Sequence, residues 1–224
     1  MNDHVFAEFG PFFASETHAA GASVDDPWST LAAALANPQR IDGRVERVQT
    51  ALGAGAASNV SLRVAASVTH LGLVARLLAT ALAAAVTGTR LSLDPADVWW
   101  RDHLGGPFPL SVATVDAEPA ADGELPSAVD ALTALFDTSY SVGPRVLGGN
   151  VASAINSAAR MIGTARPELA DSARRHADLF LAHPDVEGGQ LRAGPNFRRR
   201  SCCLIYQVSG DRTAVCGDCV LTSG

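Results

Sequence analysis

Residues 60–88 read VSLRVAASVTHLGLVARLLATALAAAVTG and form the most apolar stretch of the chain. Either Ser58 or Asn59 can serve as the N-cap of a helix that begins here, because their side chains accept hydrogen bonds from the first free amides. Thr87 and Gly88 end the run, since glycine readily adopts the backbone conformation that follows a helix. The stretch therefore predicts one long helix around which the remaining chain is arranged.

Charged and polar residues interrupt this apolar run at Arg63, His70 and Arg76. They leave no uncharged interval close to the eighteen or so residues that a membrane-spanning helix requires, so we predict a buried helix and no membrane span. Arg63, Ser67 and His70 recur at helical spacing and share one face. Arg63 and His70 are thus candidates to line a substrate cleft, with an internal, hydrogen-bonded His70 as the alternative.

The pattern of the remaining chain predicts a mainly α protein with one helical domain. Asp42 is the candidate N-cap of the second predicted helix, and Trp99 and Trp100 should face opposite sides of any strand. His18 falls in an N-terminal region expected to be mobile. A small sheet is possible near residues 89–115, and further helices are predicted over residues 29–37, 43–53, 126–138, 145–164 and 167–183.

All four cysteines of the chain lie close to its C-terminal end, as the adjacent pair Cys202 and Cys203 and the spaced pair Cys216 and Cys219. Four thiolates can hold two irons bridged by two sulfides, or one tetrahedral zinc ion. Scattered cysteines would more often fill a core or form disulfides. The clustering therefore indicates a metal site.

A β-hairpin is predicted between the two cysteine pairs. Residues 204–208 and 213–215 are β-prone and flank the turn-rich residues 209–212. In this register Cys202 lies opposite Cys219, so the hairpin brings the pairs together at its open end.

The adjacency of Cys202 and Cys203 bears on the kind of metal. Neighbouring side chains of an extended strand point to opposite faces, so both thiolates reach one site only if the backbone bends there. Structural zinc sites more often use two spaced pairs, and a disulfide between neighbours requires a strained ring. The adjacency favours an iron–sulfur cluster and leaves zinc as the alternative.

The run 198–204, RRRSCCL, together with 216–221, CGDCVL, resembles the C-terminal signature of the FhuF-like ferric-siderophore reductases. Residues 61–76 and 149–154 are also similar to helical segments of this group. The resemblance implies a [2Fe-2S] cluster on Cys202, Cys203, Cys216 and Cys219, which would act as the electron donor to siderophore-bound Fe(III).

The resemblance further implies two parts, a helical ferric-siderophore-binding body at residues 1–190 and a [2Fe-2S]-binding segment at residues 191–224. The sequence carries no Gly-x-Gly-x-x-Gly fingerprint of a nicotinamide or flavin site, so electrons would come from an external ferredoxin or flavoprotein reductase. The alternative function is a non-enzymatic, siderophore-related binding module with a structural zinc held by the four cysteines.

Charge and compartment complete these expectations. A formal net charge of −6 argues against general binding of nucleic acid. Free thiolate ligands and an N-terminus without a signal-peptide pattern predict a cytoplasmic protein.

The run of three arginines at residues 198–200 is a candidate substrate-binding element. Arg198 and Arg200 should share a face and could bind anionic siderophores, and the alternative is a solvated basic edge without a role in binding. Cationic charge here would also favour the reduced cluster.

Overall fold

We analysed a computed structural model that describes residues 4–54, 56, 59–116, 123–209, 211 and 215–221. Within these residues the fold is mainly α-helical with a small mixed sheet, as predicted. The helices are α1 (Leu31–Ala36), α2 (Pro38–Gly53), α3 (Leu62–Thr87), α4 (Ser127–Tyr140), α5 (Pro144–Ala165), α6 (Ala170–Leu181) and α7 (Tyr206–Ser209).

Helix α3 is the centre of the molecule and packs against α2, α4, α5 and α6. The hydroxyl of Ser61 caps its N-terminus by accepting from the amide of Val64, which places the cap after the predicted Asn59. Gly88 ends the helix with a φ of 70°, as predicted. The helix is long and apolar enough to span a membrane, but 72% of its most apolar window is buried by the surrounding protein. Its composition is therefore that of a core helix.

Arg76 shows how this apolar helix tolerates a charge. The side chain is 1% exposed, and its guanidinium donates to the carbonyl oxygens of Phe12, Ala14 and Phe108. Burial lowers the pKa of Arg76 to about 10, so the group remains protonated at neutral pH. Arg76 thus fastens the N-terminal segment to α3.

The sheet contains β1 (Glu16–Ala19), β2 (Ser29–Thr30), β3 (Leu91–Ser92), β4 (Val98–Trp100) and β5 (Leu110–Thr114). Strand β5 pairs in parallel with β1 and antiparallel with β3 and β4, and β4 pairs antiparallel with β2. Trp100 faces the core, whereas Trp99 lies on the other face, as the strand alternation predicted. Leu73 and Leu77 of α3 meet Trp100 across a small apolar cavity. The sheet therefore covers one side of the central helix.

The mobility expected around His18 is wrong. His18 lies in β1, stacks on the Trp99 ring at 3.6 Å between centroids, and its Nδ1 is 2.8 Å from the Ser111 hydroxyl. The four residues of β1 have alternating half-buried and exposed side chains. This pattern is too short to identify a strand without its partner.

Asp42 is not the N-cap of α2, because this helix begins earlier, at Pro38. Its carboxylate accepts a hydrogen bond from the Tyr140 hydroxyl instead.

Substituting Arg76 with alanine should lower the free energy of unfolding by about 3 kcal/mol, because buried carbonyl oxygens lose a charged donor and a cavity remains. Arg160→Ala removes an exposed arginine from α5 and should change it by about 0.5 kcal/mol or less. Urea unfolding followed by circular dichroism measures both. Equal effects of the two substitutions would contradict the role assigned to Arg76.

Candidate metal centre

The four cysteine thiols lie together in two close pairs. Cys203 Sγ is 3.8 Å from Cys216 Sγ, and Cys202 Sγ is 3.9 Å from Cys219 Sγ. Two thiolates bound to one tetrahedral metal ion at about 2.3 Å are separated by about 3.8 Å. Each pair therefore has the spacing of two ligands to the same ion, and the predicted proximity of Cys202 and Cys219 is present.

The spacing of the thiols can be compared with that of a centre with one or with two metal ions. A single tetrahedral zinc would require all four sulfurs to be mutually spaced by about 3.8 Å. Across the part of the chain that the structure describes, no group of three or more His, Cys, Asp or Glu side chains is gathered for one metal ion. Two separate pairs of thiols fit a centre in which each of two ions has two protein ligands.

The predicted hairpin is wrong in its first arm, and its second arm lies largely outside the described residues. Leu204 has a φ of 71°, which turns the chain sharply, and α7 follows where the first strand was predicted. The amides of Gln207 and Val208 donate to the carbonyl oxygens of Leu204 and Ile205, so they form local turns. This turn directs the chain away from the site immediately after Cys203.

Backbone amides face two of the sulfurs. The amide of Leu204 donates to Cys202 Sγ at 3.3 Å, and that of Leu221 donates to Cys219 Sγ at 3.4 Å. Hydrogen bonds from amides to thiolate sulfur stabilise the anionic form and are a usual means of adjusting iron–sulfur clusters. The donor set therefore fits an anionic sulfur centre.

The Cys203 and Cys216 thiols shift each other's pKa in opposite directions. The hydrogen bond from Cys216 lowers the pKa of Cys203 to about 5, against the opposing effect of burial, and the Arg199 guanidinium lowers it further. The same hydrogen bond and burial raise the pKa of Cys216, and burial raises that of Cys202. The thiolate form is thus favoured at Cys203, and metal binding displaces protons from the thiols.

Helix α5 provides the surface on which the cysteine segment docks. A Cβ at Gly149 would lie 1.9 Å from the Ser201 hydroxyl and 2.8 Å from Glu187 Oε1. Glu187 Oε2 in turn accepts a hydrogen bond from the amide of Arg200 at 2.6 Å. The absence of a side chain at Gly149 therefore lets the segment that precedes Cys202 lie directly against the helix.

Two further contacts join the segment to this surface. The Ser153 hydroxyl of α5 donates to the Asp218 carboxylate, and the amide of Arg199 donates to the Asp218 carbonyl at 3.1 Å. The first contact ties the Cys216–Cys219 turn to α5, and the second ties it to the segment before Cys202. Asp218 thus connects both arms of the site.

A buried polar network connects the site to α3. The Ser67 hydroxyl donates to the Cys203 carbonyl at 2.8 Å, and the Asn150 amide group donates to the Ser67 carbonyl at 3.0 Å. Asn150 Oδ1 accepts from Arg199 Nη1 at 3.1 Å.

His70 extends this network towards α4. Its Nδ1 lies 3.4 Å from Asn150 Nδ2, and its Nε2 lies 3.2 Å from the Thr133 hydroxyl. The network fixes Cys203 and Arg199 relative to both central helices.

The four predicted substrate-binding residues have different environments. Arg198 and Arg200 are exposed on the same side of the segment, as expected from strand alternation. Arg63 is also exposed, and its guanidinium donates to the Val142 carbonyl. His70 has no exposed surface, and burial lowers its pKa to about 3, so it is a neutral member of the internal network. Its position matches the internal alternative that the sequence left open.

Sequence reasoning missed the residues that support the site, namely Arg199, Asn150, Ser153 and Gly149. Arg199 is 1% exposed between two exposed arginines. The alternation that put Arg198 and Arg200 on one face also put Arg199 on the other, next to the cysteines. That signal was available in the sequence, whereas the contacts of α5 depend on tertiary packing.

Gly149→Ala should displace Ser201 and Glu187, reduce the metal content of the purified protein and lower the free energy of unfolding by about 1–3 kcal/mol. Gly72→Ala is the matched control, because a Cβ there meets nothing within 4 Å on an exposed helical position. The control should stabilise the protein by about 0.5–1 kcal/mol. Metal analysis and urea unfolding measure both effects, and normal metal content in Gly149→Ala would contradict the docking described here.

Comparison with known families identifies one match, to the FhuF 2Fe-2S C-terminal domain, over residues 199–221. No curated protein and no solved structure matches the chain. The match begins at Arg199 and includes all four cysteines. It confirms the resemblance predicted from the cysteine spacing and points to a [2Fe-2S] cluster as the cofactor. The C-terminal segment of this chain is therefore similar to the FhuF 2Fe-2S C-terminal domain, and it docks on α5 of a mainly helical protein.

Proposed function

We propose that this protein is a cytoplasmic ferric-siderophore reductase, which reduces siderophore-bound Fe(III) to Fe(II) by one electron and so releases the iron. The carrying observation is the pair of Sγ–Sγ distances, 3.8 Å and 3.9 Å, inside the segment that matches the FhuF 2Fe-2S domain. In this proposal Cys202, Cys203, Cys216 and Cys219 hold the cluster.

The chemistry requires an electron and no covalent bond to the substrate. A [2Fe-2S] cluster with four thiolate ligands supplies one electron at a time and offers no open coordination position. Fe(III) is a hard ion that siderophore oxygens hold tightly, whereas Fe(II) binds the same ligands more weakly and exchanges faster. The protein's own residues therefore need to position the two partners and adjust the potential.

The position of the cysteines suits transfer to an external molecule. Cys203 and Cys219 are buried, whereas Cys202 and Cys216 are half-buried, so each close pair has one thiol towards the surface. The exposed side chains of Val220 and Leu221 follow directly after Cys219. A ferric siderophore or a protein donor could thus approach without opening the helical core.

Arg198 and Arg200 are exposed and precede Cys202 closely in the sequence. Arg200 Nη1 donates to the Glu187 carbonyl at 2.9 Å, which holds the side chain over the 187–190 loop. In our proposal the two cations attract anionic ferric siderophores. The electrons come from a ferredoxin or flavoprotein reductase, which restores the reduced cluster after each transfer.

The direct test mixes chemically reduced protein with ferric siderophores of the hydroxamate, catecholate and carboxylate classes under anaerobic conditions. We expect one Fe(II), trapped by a ferrous chelator, for each cluster whose oxidised absorption returns. Reduced, cluster-loaded protein that transfers no electrons to any of the three classes would contradict the reductase function.

Each of Cys202→Ser, Cys203→Ser, Cys216→Ser and Cys219→Ser should abolish or severely destabilise the cluster, because each removes one of two thiolates from a close pair. Visible absorption and iron content per chain measure the loss. Ser209→Ala, at an exposed position between the two cysteine pairs, is the control and should keep full content. Full retention in any cysteine variant would remove that residue from the ligand set.

The double substitution Arg198→Gln, Arg200→Gln should raise KM for anionic ferric siderophores by roughly threefold or more, with the difference shrinking at high salt. Arg160→Gln is the control. It removes an exposed charge on α5 about two turns beyond Ser153, the residue that contacts Asp218, and it should leave KM unchanged. Steady-state reduction at several salt concentrations measures this. An equal effect on a neutral siderophore would contradict the electrostatic role.

A further inference from the structure

Arg199 is a buried cation with unused hydrogen-bond donors. Its side chain is 1% exposed, and Nη1 donates to Asn150 Oδ1 at 3.1 Å and to the Gly149 carbonyl at 3.4 Å. The Nε and Nη2 atoms have no hydrogen-bond partner among the described residues. Buried N–H groups are nearly always paired in folded proteins, and among the described residues no nitrogen or oxygen atom takes these two donors, which leaves the sulfur of Cys203 and a group bound beside it as partners.

Among the described residues, no carboxylate forms an ion pair with Arg199. A buried charge without a counter-charge is strongly destabilising. Its backbone amide donates to the carbonyl of Asp218, between Cys216 and Cys219, and its guanidinium is linked through Asn150 and Ser67 to the Cys203 carbonyl. The balancing charge is therefore expected on the sulfur side of the site.

The guanidinium is held in one orientation. Asn150 binds Arg199 Nη1 through Oδ1 and binds the backbone of Ser67 through Nδ2. Ser67 donates to the carbonyl of Cys203, so the arginine and this cysteine are attached to the same buried network. A cation fixed in this way keeps its distance from the site when the charge of the site changes, which is the condition for a preorganised electrostatic effect.

We propose that Arg199 is the positioning residue that raises the reduction potential of the cluster. It acts from the Cys203/Cys216 side, with Nε and Nη2 available to sulfur. Reduction adds one electron, and therefore one negative charge, to the cluster, and a fixed cation stabilises the more negative form. The neighbours Arg198 and Arg200 carry the same charge but are exposed, so water and salt screen them. This inference rests on the proposed cofactor but not on the identity of the siderophore.

The test is a redox titration of the cluster without any siderophore, in wild type, Arg199→Gln, Arg198→Gln and Arg200→Gln. We expect Arg199→Gln to lower the equilibrium constant for one-electron reduction at least tenfold, which is a shift of 59 mV to more negative potential. The two exposed variants should remain close to wild type. An unchanged potential in Arg199→Gln, or equal shifts in all three variants, would overturn the proposal.

If Arg199→Gln does not retain the cluster, Arg199→Lys decides the question. A lysine ammonium keeps the charge but cannot present the planar set of donors, so we expect a potential below that of wild type. A loaded Arg199→Lys protein with the wild-type potential would support the charge of residue 199 as the cause and exclude a separate contribution of the planar N–H donors. The titration is independent of turnover, so a protein that fails to reduce siderophores can still show the Arg199 shift. A wild-type protein without iron and sulfide would contradict both proposals.

Discussion

The site depends on the close approach of the C-terminal segment to helix α5. Gly149 has no side chain, and the Ser201 hydroxyl lies 1.9 Å from where a Cβ would stand. Steric exclusion at this one position would push away the chain that leads directly into Cys202. The neighbouring residue, Asn150, accepts a hydrogen bond from Arg199 and donates one to the Ser67 carbonyl. The Ser67 hydroxyl in turn donates to the Cys203 carbonyl. One contact between helix and segment therefore fixes both the thiols and the charge beside them.

Alternation along residues 198–200 separates two electrostatic roles. Arg198 and Arg200 face the solvent, where charge acts over distance on the approach of anionic molecules and is weakened by salt. Arg199 faces inward, where charge acts on the thiols at short range and is screened much less. A run of three arginines thus serves recognition on one side and redox adjustment on the other, in the function that we propose.

Features with a local physical cause could be predicted from the sequence. The apolar run of α3, the glycine that ends it and the periodicity of α4 and α5 are such features. The proximity of Cys202 and Cys219 was also predicted correctly, but through a hairpin that the described residues do not form. β-prone composition at residues 204–208 was overridden because amides there bond to sulfur and to local carbonyl groups. Strand β1 and the contacts of Gly149 and Asn150 depend on distant partners, so no local pattern could identify them.

The most direct measurement is the iron, zinc and acid-labile sulfide content of anaerobically purified protein, with its visible spectrum before and after dithionite. Two irons and two sulfides per chain, with a colour that bleaches on reduction, are expected for four thiolates arranged as two close pairs. A colourless protein with one zinc ion per chain and no sulfide would contradict the account and favour a structural metal site.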